Sequence, residues 1–142
     1  MLMPDVNILV YAHRGDLPQH ERHRDWLQGL VDGMESYAVC DVVIGGFLRL
    51  VTNRRVFRTP TPLHVAVQFA DLVRHRPQAI VVAPGARHWP IFDRLCREVG
   101  AVGRDVPDAY LAALAIEHGC EFVTTDKGFA RFAGLRSGPV PA

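Results

Sequence analysis

Serine is scarce: Ser36 and Ser137 are the only two in 142 residues, and neither lies in G-x-S-x-G, which speaks against a serine hydrolase. No G-x-G-x-x-G or Walker A pattern occurs, so dinucleotide- and triphosphate-binding folds lack support. Cys40, Cys96 and Cys120 show no C-x-x-C spacing, a pattern that fits reduced, buried thiols better than a disulfide framework or a zinc site. His20-Glu21-Arg22-His23 is one residue short of H-E-x-x-H, so a zinc protease is not supported. No apolar run reaches the roughly 18 residues that span a bilayer. The N-terminus shows no basic, apolar and small-residue order of a signal peptide, and a cytoplasmic protein away from the membrane is expected.

What is present reads as one globular domain over residues 1–142, with 49% apolar residues to build its core. Apolar strands alternate with amphipathic helical stretches. Strands are expected over Asp5–Ala12, Tyr37–Cys40, Ala79–Ala83 and Glu121–Thr124. Helices are expected over His20–Val31, to about Val51 from Asp41, which can cap it, over Leu63–Val73 and Trp89–Val99, and from Pro107 to a stop at Gly119. A short helix over Lys127–Phe132 precedes a Gly/Pro-rich tail. Strands separated by helices imply an α/β fold with a parallel sheet flanked by helices.

Three carboxylates stand at element ends: Asp5 in the first apolar run, Asp108 in the first turn of a helix and Asp126 after the last strand. Ligands gather at the carboxyl ends of parallel strands. Acids brought together there without an adequate basic partner repel one another, and a divalent magnesium or manganese ion resolves that conflict through oxygen ligands. Each acid also has a plain structural reading. Asp108 suits a helix N-terminus for its charge alone, and Asp126 can cap the short helix that follows it. Asp5 is the hardest to explain structurally.

The segments Asp5-x-Asn7-Ile8-Leu9-Val10-Tyr11, Phe47-Leu48-Arg49-Leu50-Val51-Thr52-Asn53, Pro107-Asp108-Ala109 and Thr124-Thr125-Asp126-Lys127-Gly128-Phe129 together resemble the PIN-domain ribonucleases. More closely, they resemble the VapC toxins of bacterial toxin–antitoxin pairs. The resemblance spans nearly the whole chain. It implies a single PIN domain, a magnesium-dependent endoribonuclease (manganese may replace magnesium), an RNA substrate of the tRNA or rRNA class, a VapB-type antitoxin and a homodimer. Asp5, Asp108 and Asp126 fall on the family's metal-site acids, Asn7 on a residue that orients the first, and Thr125 on a supporting position.

One position departs from the pattern. Many PIN nucleases carry a glutamate just before the Phe of the second segment, where this chain has Gly46. Asp41 or Asp105 could supply the missing charge, and Gly46→Glu is expected to strengthen metal binding by adding an acid, without harm to the helix because glycine is a poor helix residue. The departure keeps open an alternative, a catalytically weakened PIN-like module that only binds RNA or antitoxin. A response-regulator receiver shares the acidic pocket but needs an acceptor aspartate after the middle strand, and Ala79–Pro84 offers none. Arginine outnumbers lysine, Lys127 being the only lysine. The cluster Arg49, Arg54, Arg55 and Arg58 is read either as a phosphate track beside the acids or as a solvated basic face.

Overall fold

A computed structural model describes residues 1–141. The elements run β1 (Leu2–Pro4), α1 (Val6–His13), α2 (His20–Asp32), β2 (Tyr37–Val39), α3 (Asp41–Val51), α4 (Leu63–Arg74), β3 (Ala79–Val81), α5 (His88–Val99), α6 (Asp105–Glu117), β4 (Glu121–Val123), a 3-10 turn (Lys127–Arg131) and β5 (Arg136–Gly138). All strand pairings are parallel, in the order β3-β2-β1-β4-β5. Successive side chains of a strand point to opposite faces. All three residues of β2 are buried, as are the last two of β1 and of β4, so both faces of the central sheet are covered, as a parallel sheet requires. Tyr37, Phe47, Phe122 and Phe132 are the largest fully buried side chains, each worth about 1.5–3 kcal/mol of burial on the usual area scale. No helix among the described residues is long and apolar enough to cross a membrane.

Two expectations need correction. The run Asp5–Ala12 is not a strand: β1 ends at Pro4, Asp5 is an N-cap whose Oδ1 accepts from the Val6 backbone N–H at 2.7 Å, and α1 follows. A short apolar run with Ile8, Leu9, Val10 and Ala12 all buried carries no period that separates strand from helix. The deciding signal was the acid in front of it, an ordinary helix start. The second correction is the tail, where Arg136–Gly138 pairs with β4 as a fifth strand. Three residues holding a glycine and a serine carry no strand pattern; the neighbour's free edge imposes it.

Helix α6, which carries Asp108, is fixed at its far end by Glu117. Only 8% exposed, the Glu117 carboxylate accepts from the backbone N–H groups of Gly85 at 2.8 Å and Arg87 at 3.0 Å. It thereby ties the loop after β3 to α6. A side chain at Gly85 would meet this carboxylate at 2.8 Å, so the loop passes because Gly85 has none. Burial pushes the Glu117 pKa up, but the two N–H donors outweigh it and the net shift is downward. A lowered folded pKa means stability present above the unfolded value and lost as pH falls through the folded one. Glu117→Gln places an amide N–H against one of those donors. It is expected to cost about 1–3 kcal/mol at neutral pH and less at acid pH, as urea-unfolding midpoints measured at both values would reveal.

Candidate active site

The pairing of β1 with β4 sets Pro4 beside Val123, so the next residue of each strand, Asp5 and Thr124, leaves the sheet side by side. The chain order reverses between these two strands, β2 and β3 lying to one side and β5 to the other. That is the switch point where parallel sheets open a crevice. The Asp5 backbone N–H donates to Val123 O at 2.9 Å, which locks the register at the point where the acid emerges.

The Thr124 hydroxyl is the hub. It donates to Asp5 Oδ2 at 2.7 Å and accepts from the Asp126 backbone N–H at 3.1 Å; Asn7 Nδ2 approaches it at 3.4 Å. Asn7 Oδ1 in turn faces the Thr125 N–H at 3.5 Å. Asn7 therefore meets Asp5 through a threonine. Asp126 caps the 3-10 turn by accepting from Gly128 N–H at 2.8 Å. Asp108 stands in the first turn of α6. With Arg104, Asp105 and Arg131, Asp108 and Asp126 line a cleft of about 350 Å³.

Asp5 is only 6% exposed. Burial pushes its pKa up, the Thr124 hydroxyl and the Val6 N–H pull it down, and the charges of Asp108 and Asp126 push it up again, for a net rise. Asp5 thus feels the charge of both other acids. The donor set of the three is all carboxylate oxygen, which suits a hard divalent cation. Among the described residues no three His, Cys, Asp or Glu side chains already stand in a metal-binding cluster. The acids do have a basic partner, which the expectation of unpaired acids overlooked. Arg131 Nη2 lies 3.1 Å from both Asp108 Oδ2 and Asp105 Oδ1.

Other expected residues fall elsewhere. Asp41 does not cap α3, whose N-cap is Cys40; its carboxylate pairs with Arg74, Nε to Oδ1 at 2.8 Å and Nη2 to Oδ2 at 3.2 Å. That guanidinium holds the Asp41 carboxyl below its usual range. Thr125 borders a second cleft of about 240 Å³ with Lys127 and Ser137, on the other side of Asp126. Arg49, Arg54, Arg55 and Arg58 are exposed but do not line the acid cleft. Arg49 lies in the last turn of α3, and the loop of the other three packs at the C-terminal end of α1, where Arg14 donates to Thr59 O at 2.8 Å and lies 4.2 Å over the Phe57 ring. The eight residues of α1 put about 12 Å between that end and Asp5. A larger hollow of about 550 Å³ beside α4 carries Asp71 as its single carboxylate, so it lacks the converging charge of the acid cleft.

The PIN domain family matches residues 2–135. The chain belongs to the PIN-domain family. It is 46% identical over 136 residues to Ribonuclease VapC43 of Mycobacterium tuberculosis, covering 96% of this chain and 92% of that one. It is 43% identical to Ribonuclease VapC25 of the same organism, covering 96% of each. The fold also matches a chain of VapBC2 from Rickettsia felis, bound to a DNA fragment from their promoter. That match has a TM-score of 0.70 at 17% identity, over 99% of this PIN domain and 98% of that chain.

Gly46 has a steric cause in this PIN domain. A Cβ there would stand 2.9 Å from Val6 Cγ2, and β-branched valine has little rotamer freedom to yield. The space a side chain needs is filled by the residue that follows Asp5, so Gly46→Glu conflicts with the fold before it can add charge. Gly46→Ala is expected to destabilise by about 1–3 kcal/mol as an overpacked contact, against alanine's helix preference. Val6→Ala in the same chain should recover most of that loss, and a thermal-unfolding double-mutant cycle showing no coupling would refute the contact.

Thr124→Val removes the hub while keeping its shape. Stability is expected to drop by about 1–3 kcal/mol at neutral pH, the cost of leaving buried partners unsatisfied. The hydroxyl stabilises Asp5 in its ionised form, so the loss is full above the folded Asp5 pKa and shrinks as pH falls through it. Denaturant titrations across that range test the sign; a loss independent of pH would mean that Thr124 does not serve the charge of Asp5.

Proposed function

We infer that this PIN domain is an endoribonuclease, the toxin of a type II toxin–antitoxin pair. It hydrolyses RNA phosphodiester bonds with a divalent metal ion, magnesium with manganese as substitute. The observation that carries this reading is the emergence of Asp5 at the β1–β4 switch point, where it feels the charges of Asp108 and Asp126, in a chain 46% identical to a protein named a ribonuclease. Asp5, Asp108 and Asp126 would hold the ion, which when bound activates water and offsets charge on the phosphate oxygens.

The chain's own groups prepare that site. Thr124 and the Val6 N–H orient both oxygens of Asp5, and Asn7 steadies Thr124 and the Thr125 backbone. Arg104 lines the cleft without a carboxylate partner among the described residues, and its guanidinium suits a substrate phosphate. Arg49, in the last turn of α3, with Arg54 and Arg55 in the loop at the far end of α1, forms a second, separate contact for the RNA backbone. The partners are an RNA of the tRNA or rRNA class, a VapB-type antitoxin and a second copy of the chain, all in the cytoplasm. VapB–VapC pairing is the assembly that structures such as VapBC2 name.

Two observations favour a second reading, a binding module with weakened catalysis: Gly46 supplies no acid, and Arg131 already occupies Asp108. Cleavage of structured RNA by the purified chain in magnesium or manganese decides between them. Asp5→Asn, Asp108→Asn and Asp126→Asn are each expected to lower the rate by about 10²-fold or more while RNA binding persists in a filter assay. Wild-type chain that binds RNA but leaves it intact at every metal concentration establishes the binding module instead.

A further inference from the structure

Arg131 is placed with more care than a surface ion pair needs. Its Nη2 is shared between Asp105 Oδ1 and Asp108 Oδ2, 3.1 Å from each. Its Nη1 donates to the Gly128 carbonyl oxygen. Its guanidinium carbon sits 4.4 Å from the centroid of the Phe132 ring, and Phe132 is 1% exposed, so the platform is rigid. Gly128 completes the cradle. A Cβ there would lie 2.9 Å from Arg131 Nη1 and 2.9 Å from Asp126 Oδ1, so the arginine and the capping acid pass the same bare Cα from two sides.

One nitrogen between two carboxylates does part of what a bound cation would do: it offsets one of their two charges and holds them together. We propose that Arg131 is a resident cation of this site, a positioning residue that holds Asp108 against Asp105 and sets the divalent-metal affinity by competing for Asp108. The proposal rests on the metal reading given above and adds to it. A metal ion that takes Asp108 must break the Arg131 contact or bear the repulsion of a guanidinium beside it, and either raises the metal concentration needed.

The sign of the effect separates competition from simple support. If Arg131 only propped up the acids, its removal would loosen metal binding. As a competitor, its removal tightens binding while destabilising the metal-free fold, where Asp105 and Asp108 are left facing each other. The probe is Mn²⁺ alone, titrated into the full chain and followed by the loss of the free-ion paramagnetic resonance signal, with no RNA present. Arg131→Ala is expected to bind Mn²⁺ about three- to tenfold more tightly than wild type, the scale of two half-exposed ion pairs. Arg131→Lys keeps a charge without the planar fork and should fall between the two. The gain should vanish when Asp108→Asn is added, because the contested ligand is gone. If Arg131→Ala fails to fold, Arg131→Gln retains the stem over Phe132, drops the charge and carries the same expectation.

Unchanged or weaker Mn²⁺ binding by the folded variant, with saturable binding by wild type, overturns the competition and leaves the metal reading standing. Saturable binding by neither chain overturns both. Binding by the variant alone supports the competition in its strongest form.

Discussion

Every functional group in this PIN domain depends on one pairing, the parallel register that sets Pro4 against Val123. The strands are three residues long, so few ladder bonds hold it. A slip by one residue would turn Met3, Phe122 and their neighbours from one face to the other, and the buried state of both faces forbids that. The core therefore selects the register, and the register brings Asp5 and Thr124 within 2.7 Å across 119 residues of sequence. Burial of apolar side chains is the source of the stability, and placement of a polar contact is its consequence.

That placement creates an electrostatic problem. Asp5 is buried and feels two further acids, a combination that opposes ionisation. The chain answers with fixed donors rather than with bulk water: the Val6 N–H on one oxygen and the Thr124 hydroxyl on the other. Asp126 receives the Gly128 N–H, and Asp108 a guanidinium. Each acid thus has a local partner in the metal-free fold. The residual cost is the raised Asp5 pKa.

Much of this was legible in the sequence, and the failures have physical causes. The α/β class followed from alternating apolar and amphipathic stretches, and the three acids were found because each breaks an apolar context or ends an element. Thr125 was named where Thr124 is the hub, because parity decides which of two adjacent threonines meets Asp5, and parity is a property of register that sequence does not print. Asp41 was expected to cap or to lend charge; a distant arginine, 33 residues on, claims it. Arg49 lies within the second family segment, on α3, and Arg54 and Arg55 just after it, where the loop packs at the far end of α1. Arg131 carried no signal, being one arginine among 15.

Glycine ties these observations together. At Gly46, Gly85 and Gly128 a side chain would collide with Val6, with Glu117, and with Arg131 and Asp126 respectively. None of these three has the positive φ that elsewhere selects glycine, as at Gly100 and Gly119, so their small size and not their backbone freedom is what the fold uses. Each lets a second group come closer than a Cβ permits, and each of those groups bears on the acids: Val6 donates its backbone N–H to Asp5, Glu117 fixes the helix of Asp108, and Arg131 and Asp126 stand in the cleft itself. Read this way, Gly46 is a departure with a positive cause. An acid at that position and a valine after Asp5 compete for one volume, and this chain keeps the valine, leaving the charge of the cleft to be set by Asp5, Asp108, Asp126 and the arginine that faces them.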